Sequence, residues 1–336
     1  MAVNPDILAG SIIKTRIRLA RNIVGYPFCV TDPNDAREIV KKVNRALVKS
    51  GTFNLYYMSN LSNTKLEAMK ERHLISQNLI DNRECGVALI NQDESISIMV
   101  NEEDIIRQQC FMKGLRLQEA YKRLDKIDDD LIKNLDIAYD KNLGFLTACP
   151  TNLGTGLRAS VMMFLPALTE SNKIDELISE VARLGLTVRG LYGEGSRAEG
   201  YVYQISNEVT LGVSEYDILR NVEETVIKIC TAERHESERL FMRNQISTMD
   251  RAKKAFGILT NAVVLSYSEF LNLIAQVKLG ANLGMIDIEN IERLDDLIVE
   301  VRPANLCEMF GKNLSSKDRD LCRAEVVGTV LTKLRG

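Results

Sequence analysis

Five arginines lie beside loop-forming segments, and their chemistry suits an anionic ligand. Arg16 and Arg18 stand two apart in Lys14-Thr15-Arg16-Ile17-Arg18. A strand there points both guanidinium groups to one face. Arg107 closely follows Asn101-Glu102-Glu103-Asp104, Arg158 follows Gly154-Thr155-Gly156 at an expected helix start, and Arg189 leads into a second glycine-rich loop. A guanidinium binds phosphate through a planar fork and stays charged at neutral pH. Several converging on one cleft would form a triphosphate clamp in place of a phosphate-binding loop. Taken singly, each fits surface solvation or a local ion pair, and sequence separation does not show convergence.

Carboxylates form the second group. Glu102, Glu103 and Asp104 follow the apolar run ending at Val100, and Glu194 lies in Gly193-Glu194-Gly195. They fit general-base work or a cationic substrate. Consecutive acids also fit a solvated turn or a helix N-terminus. Cys149 precedes Pro150-Thr151-Asn152-Leu153-Gly154-Thr155. A lone cysteine is commonly a small packed hydrophobe, but one beside a glycine-rich loop can be exposed and reactive.

Several other chemistries are excluded. There is no G-x-x-x-x-G-K-[ST] and no H-R-D with D-F-G. Gly193 to Ala198 fits G-x-G-x-x-[GA], yet β-like Tyr201-Val202-Tyr203-Gln204-Ile205 follows where a dinucleotide fingerprint needs a helix. A strand-to-strand loop explains it without a ligand. The seven cysteines are Cys29, Cys85, Cys110, Cys149, Cys230, Cys307 and Cys322. They are odd in number, widely spaced and free of C-x-x-C, against a disulfide framework or zinc site. His73 and His235 are far apart, and no protein-held metal is expected. Lys+Arg 43 against Asp+Glu 46 gives a net charge of −3, unlike a nucleic-acid coat. Within the basic set, arginines outnumber lysines 24 to 19. No apolar run approaches the roughly 18 residues of a membrane span, and residues 1–10 lack a signal-peptide pattern. A cytoplasmic, non-membrane protein is expected.

The elements that must position these groups follow from periodicity. The 336 residues imply about two domains, and 45% apolar with 26% charged residues is a globular balance. Asp32-Pro33 opens a helix carrying Ala36, Ile39, Val40, Val43 and Leu47 at helical spacing, closed by Gly51. A strand is expected over 53–58, a short helix over 63–73, a hairpin over 86–100, and a long helix over 117–135. Residues 144–148 read as a strand, 157–168 and 173–184 as helices, and 186–191 and 201–206 as strands. A helix over 214–249 follows. Beyond residue 250 only helices are expected, over 251–259, 268–279, 288–299 and 316–334. The boundary is placed near residue 245, giving domains 1–245 and 246–336.

Asn101-Glu102-Glu103-Asp104, Cys149 through Thr155, and Arg189-Gly190 through Gly193-Glu194 together resemble hallmark blocks of the ATP:guanidino phosphotransferases, the phosphagen kinases. The resemblance runs from about Lys14 to Arg239. It is most similar to the bacterial protein-arginine kinase branch (McsB type). Small-guanidine kinases carry a helical domain before the arginine pair, and here the pair arrives at Arg16. The second sign is Arg319-Asp320-Leu321-Cys322-Arg323-Ala324, similar to the R-D-x-x-R-A motif of a phosphoarginine-binding allosteric pocket. The fold implied is α+β, a phosphagen-kinase-like antiparallel sheet flanked by helices, followed by a small all-α domain.

The resemblance also implies roles. Arg16, Arg18, Arg107, Arg158 and Arg189 correspond to the nucleotide-phosphate clamp. ATP-binding blocks extend over Lys14, Thr15, Arg16, Ile17 and Arg18; over Arg158, Ala159, Ser160, Val161 and Met162; and over Arg189, Gly190, Leu191, Tyr192, Gly193 and Glu194. His73 resembles a nucleotide-contacting histidine. Glu103 matches the catalytic carboxylate, Glu194 the second substrate-binding carboxylate, and Cys149 the reactive cysteine. The cofactors implied are ATP and Mg²⁺. The partners implied are substrate proteins, an activator, an AAA+ unfoldase–protease of the stress response, and a second copy in a homodimer. Ile105 stands where the family often has His, and Lys14 where a small hydroxyl residue is usual. Two alternatives stay open: a small-guanidine phosphagen kinase, and an inactive phosphoarginine-binding adaptor.

Overall fold

The computed structural model describes residues 10–190 and 199–335. The strands are β1 (Ile12–Arg21), β2 (Phe53–Tyr57), β3 (Val87–Asn91), β4 (Ile96–Val100), β5 (Ile106–Lys113), β6 (Tyr139–Asp140), β7 (Gly144–Phe145), β8 (Leu157–Phe164), β9 (Leu186–Gly190) and β10 (Val202–Asn207). Eight of them form one sheet, ordered β2-β3-β4-β5-β1-β8-β10-β9, and β6 and β7 form a separate hairpin. Every pairing within the large sheet is antiparallel.

The helices are α1 (Pro33–Ala46), α2 (Asn63–Glu71), α3 (Gln77–Asp81), α4 (Leu117–Asn134), α5 (Pro166–Glu170), α6 (Ile174–Arg183), α7 (Glu215–Asn261), α8 (Tyr267–Asn282), α9 (Glu292–Glu300), α10 (Pro303–Met309) and α11 (Ser316–Leu334). Asp32 caps α1 through the amides of Asn34 and Asp35, satisfying donors that the first turn cannot pair internally.

The two faces of the sheet differ in character. Ile17 and Leu19 of β1, Cys110 of β5, Ala159 and Val161 of β8, and Ile205 of β10 join the main core. The buried stripes of α1, α4 and the first half of α7 complete it. The alternate residues Arg16, Arg18, Arg107 and Arg158 point to the other face, as a two-residue period requires. A second core lies within the C-terminal helices, around Phe270, Leu294, Leu306 and Val327. Phe164 and Val202 of the sheet meet Ala275 and Leu279 of α8. The C-terminal helices therefore cover part of the face that carries the arginines.

Three expectations need correction. Residues 157–168 are strand β8 followed by the short α5, so Arg158 sits on a strand and not at a helix start. Seven of the eight β8 residues are buried. A central strand covered on both sides shows no polar–apolar alternation, and a run with Ala and Met then mimics a buried helix. The strand expected over 144–148 shrinks to Gly144–Phe145. Residues 214–249 and 251–259 are one helix, α7, broken in geometry only at Asn244 (φ −134°, ψ 31°). Beyond Asn207, no strand occurs among the described residues.

Candidate active site

The centre of the sheet brings four arginines together. Arg18 of β1 pairs directly with Arg158 of β8, and Arg16 with Ser160. On the other side Ala20 pairs with Arg107 of β5. Arg158 donates through Nη2 to Ser206 Oγ of β10 at 3.0 Å. Arg189 is exposed on β9, opposite Gln204 of β10. Like charges set directly opposite on a sheet oppose folding. The Nε atoms of Arg16, Arg18 and Arg158 are buried and have no hydrogen-bond partner. Burial, then Arg107 and Arg158, push the Arg16 guanidinium down to about 9. Burial and the neighbours Arg16, Arg107 and Arg158 hold Arg18 well below its ordinary value. This floor of positive charge, partly offset at Arg107 by Glu102, suits a polyanion.

The residues that the resemblance assigns to the nucleotide extend beyond the arginines. Burial, then Arg16 and Arg302, lower Lys14 to about 8. His73 adopts φ 63°, and burial with nearby Lys14 and Arg16 lowers its pKa well below the ordinary value. Its backbone oxygen accepts from Gln109 Nε2 at 2.7 Å. The side chains of Ile17, Ala159 and Val161 face the main core, off the arginine face. Thr15 Oγ1 donates to the Gly114 oxygen at 2.7 Å. Met162 is buried beside Ile13 and Val202, in a hollow near the C-terminal helices. Leu191, Tyr192, Gly193 and Glu194 lie outside the described residues.

The acidic block Asn101–Asp104 forms a tight turn after β4. Asn101 is buried at φ 62°. Its side chain donates to the oxygens of Ala36 and Cys85 at 3.2 and 3.0 Å. Glu102 is buried and bridges two groups: Oε1 accepts from Arg107 Nη1 at 2.5 Å, and Oε2 from the Glu103 amide at 2.9 Å. Asp104 accepts from Asn22 Nδ2 at 2.8 Å, from the Ala148 amide at 2.7 Å and from Asn152 Nδ2 at 3.3 Å. That carboxylate ties the turn to the loop carrying Cys149, whose Sγ lies 3.0 Å from Thr151 Oγ1. Ile105 is fully buried in the main core. Spacing alone did not single out Glu102, Asp104 and Asn22 as positioning groups; only membership of the acidic block marked the first two.

Glu103 remains half-exposed. Burial, then Glu102 and Asp104, raise its pKa, with Arg107 opposing them. Arg18, Arg107, Arg158, Glu103, Cys149 and Thr151 line one cleft of about 160 Å³. A carboxylate with raised proton affinity faces fixed positive charge across a small space. The arrangement can hold an anionic donor and a cationic acceptor side by side.

The segment Arg319-Asp320-Leu321-Cys322-Arg323-Ala324 lies on α11. Arg323 is 1% exposed. It donates to the oxygens of Val301 and Leu265 at 3.0 and 2.8 Å, and to Asp320 Oδ1 at 2.6 Å. Arg319, half-buried one turn earlier, reaches the Leu314 oxygen at 3.3 Å. Leu321, Cys322 and Ala324 lie on the same helix, with Ala324 in the C-terminal core.

Comparison with known proteins shows the family. Residues 35–236 match the model of the ATP:guanido phosphotransferase C-terminal catalytic domain. Residues 245–336 match the model of the protein-arginine kinase McsB C-terminal domain. A protein-arginine kinase of Caldanaerobacter subterraneus subsp. tengcongensis is 43% identical over 328 residues, spanning 96% of this chain and 97% of the relative. One from Clostridium kluyveri is 44% identical over 323 residues, 95% of this chain and 94% of the relative. The solved duplicated taurocyamine kinase of Schistosoma mansoni, with bound transition-state analogue components, aligns with a TM-score of 0.62 at 29% identity, covering 69% of this chain and 34% of that one. A lombricine kinase aligns with a TM-score of 0.58 at 28% identity, covering 67% and 66%. The chain therefore belongs to the ATP:guanido phosphotransferase family, and within it to the protein-arginine kinases.

Proposed function

We propose that this chain transfers the γ-phosphoryl group of ATP to arginine side chains of substrate proteins. The observation that carries the reading is the single cleft holding Glu103 on one side and Arg18, Arg107 and Arg158 on the other. Phosphoryl transfer asks a protein mainly for positioning and charge neutralisation. The arginines hold the triphosphate and the charge that develops on its equatorial oxygens. The acceptor guanidinium is a poor nucleophile while protonated. Glu103 takes one proton from it as the freed nitrogen lone pair forms the N–P bond. The bond from phosphorus to the β–γ bridging oxygen breaks, and ADP leaves.

Glu102 gives this geometry its rigidity, because one buried carboxylate orients both the donor-side Arg107 and the backbone of Glu103. Glu194 is assigned as the second acceptor carboxylate by family resemblance, and Cys149 as a neighbour of the acceptor. Magnesium would supply further charge neutralisation on the nucleotide phosphates. Among the described residues no group of three His, Cys, Asp or Glu is placed to hold a metal.

The wider reading places the product in a stress response, where phosphoarginine marks proteins for an AAA+ unfoldase–protease. In the same reading the chain divides near residue 245, acts as a cytoplasmic homodimer, and binds phosphoarginine through Arg319 and Arg323. No helix among the described residues is long and apolar enough to cross a membrane. The test is ADP release with MgATP and either a protein acceptor or free arginine and creatine. Turnover on protein is expected. Turnover on the free guanidines alone would assign a phosphagen kinase, and no turnover an adaptor.

A further inference from the structure

The turn that follows α2 is held from two sides, and one of them is the C-terminal helical unit. Helix α2 closes in a Schellman turn: the His73 amide donates to the Lys70 oxygen at 2.8 Å, and the Leu74 amide to the Met69 oxygen at 2.9 Å. This puts His73 at φ 63°, a left-handed position where glycine is usual and a side chain costs stability. From β5, Gln109 Nε2 donates to the His73 and Leu74 oxygens at 2.7 and 3.0 Å. From the C-terminal helices, residues 302–305 take hold of Glu71, two residues before His73. The Glu71 carboxylate accepts from the Ala304 amide at 3.0 and 3.1 Å, and from the Asn305 amide at 2.9 Å. The Glu71 backbone oxygen accepts from Arg302 Nη1 at 2.9 Å. Between them, Arg72 Nη1 donates to Asn305 Oδ1 at 2.8 Å and to Glu308 Oε2 at 2.7 Å. Each of residues 71, 72 and 73 is therefore fixed by a partner distant in sequence.

The charge around His73 gives the reason for this hold. Burial, then Lys14, Arg16 and Arg302, lower its pKa well below the ordinary histidine value. A neutral imidazole can donate or accept a hydrogen bond, and the three cations beside it favour an anionic ligand. Lys14 and Arg16 share one face of β1 with Arg18, which lines the cleft that holds Glu103. At about 3.4 Å per residue, Lys14 lies about 14 Å from Arg18 along the strand. A nucleotide whose terminal phosphate meets Arg18, and whose chain follows this row of cations, brings its nucleoside end to Lys14 and His73. We propose that Glu71 and Arg302 are positioning residues for nucleotide binding. They fix the backbone that presents His73 to the nucleoside end of ATP, so the C-terminal helices are a working part of the nucleotide site. The inference rests on the nucleotide role that the resemblance gives His73, and names the residues that act through it.

The test titrates MgATP into the full chain by calorimetry, and measures kcat at saturating MgATP on the same samples. Glu71→Ala should weaken ATP binding about tenfold, or about 1.4 kcal/mol, with kcat within about twofold. Glu71→Gln keeps one acceptor oxygen, should lie between Glu71→Ala and the wild type, and serves if Glu71→Ala does not fold. Lys65→Ala breaks the Lys65–Glu308 pair of the same contact and leaves residues 71–73 untouched. It should keep the ATP dissociation constant within about twofold. The deciding arm is a double-mutant cycle with His73→Ala. That variant should weaken ATP binding by a similar factor, and adding Glu71→Gln or Glu71→Ala should weaken it no further, because residues acting through one contact are not additive. Losses that multiply independently would make Glu71 a structural residue only and overturn the inference. So would unchanged ATP binding in the Glu71 variants, or a loss in Lys65→Ala as large as theirs. Unchanged binding in His73→Ala would remove the nucleotide role of His73, and the inference with it, while the kinase reading stood. No ATP binding by the wild type would remove the kinase reading itself.

Discussion

Arg18 and Arg158 face each other directly across the pairing of β1 and β8. A chain selected only for stability would place opposite charges or apolar groups there. Two buried, unpartnered Nε atoms at these positions are costs that bound phosphate oxygens would offset.

Arg158→Met should therefore stabilise the ligand-free protein while weakening nucleotide binding. Removing the cross-strand repulsion is worth about 0.2–1 kcal/mol, so the urea midpoint should rise. Losing a charge-assisted contact of about 1.5–3 kcal/mol should weaken ATP binding about ten- to a hundredfold. Calorimetry and urea titration of the same sample measure both. A variant that lost stability and kept its affinity would show that the arginine is structural.

The pH dependence of turnover should follow Glu103. A general base acts when deprotonated. Burial, Glu102 and Asp104 keep its proton on to higher pH than an ordinary glutamate. The rate should rise with pH through that raised value and then level. Glu103→Gln should lose this limb and fall about 10²–10⁴-fold. An unchanged limb in the variant would assign the titration to another group.

Asp104→Asn should separate catalysis from nucleotide binding. The substitution places an amide against three donors, from Asn22, Ala148 and Asn152. The cost is about 1–3 kcal/mol in stability. The Cys149 loop should loosen, lowering kcat at least tenfold, while the ATP dissociation constant stays within about threefold, less than 0.7 kcal/mol. Equal losses in both would place Asp104 in the nucleotide site.

The two arginines of α11 should behave differently. Arg323 satisfies the oxygens of Val301 and Leu265 and pairs with Asp320. Arg323→Ala should destabilise the C-terminal helices by about 3–5 kcal/mol, the range for breaking a buried ion pair. Arg319→Ala should leave the melting temperature nearly unchanged and abolish phosphoarginine binding by calorimetry. Undiminished binding in Arg319→Ala would remove the pocket assignment.

Much of the site was legible in the sequence, because the residue types are few and their chemistry is specific. The i, i+2 spacing of Arg16 and Arg18 gave their shared face once β1 was a strand. The acidic turn and the Cys149 loop were readable as loop chemistry. Register was not readable: the Arg18–Arg158 pairing depends on long-range strand order. β8 was misread for a related reason, since burial on both faces erases the two-residue period. β5, which presents Arg107, was not anticipated, because its consecutive Gln108 and Gln109 break any polar–apolar alternation, while both are buried. The roles of Glu102 and Asp104 emerged only from their partners.

The central claim is the identity of the acceptor. Mass spectrometry under non-acidic handling, after reaction of the full chain with MgATP and casein, tests it most directly. Phosphate on arginine side chains, labile to acid and absent with Glu103→Gln, is the predicted result. Phosphate confined to free arginine or creatine, or found on serine and threonine of casein, would contradict the account.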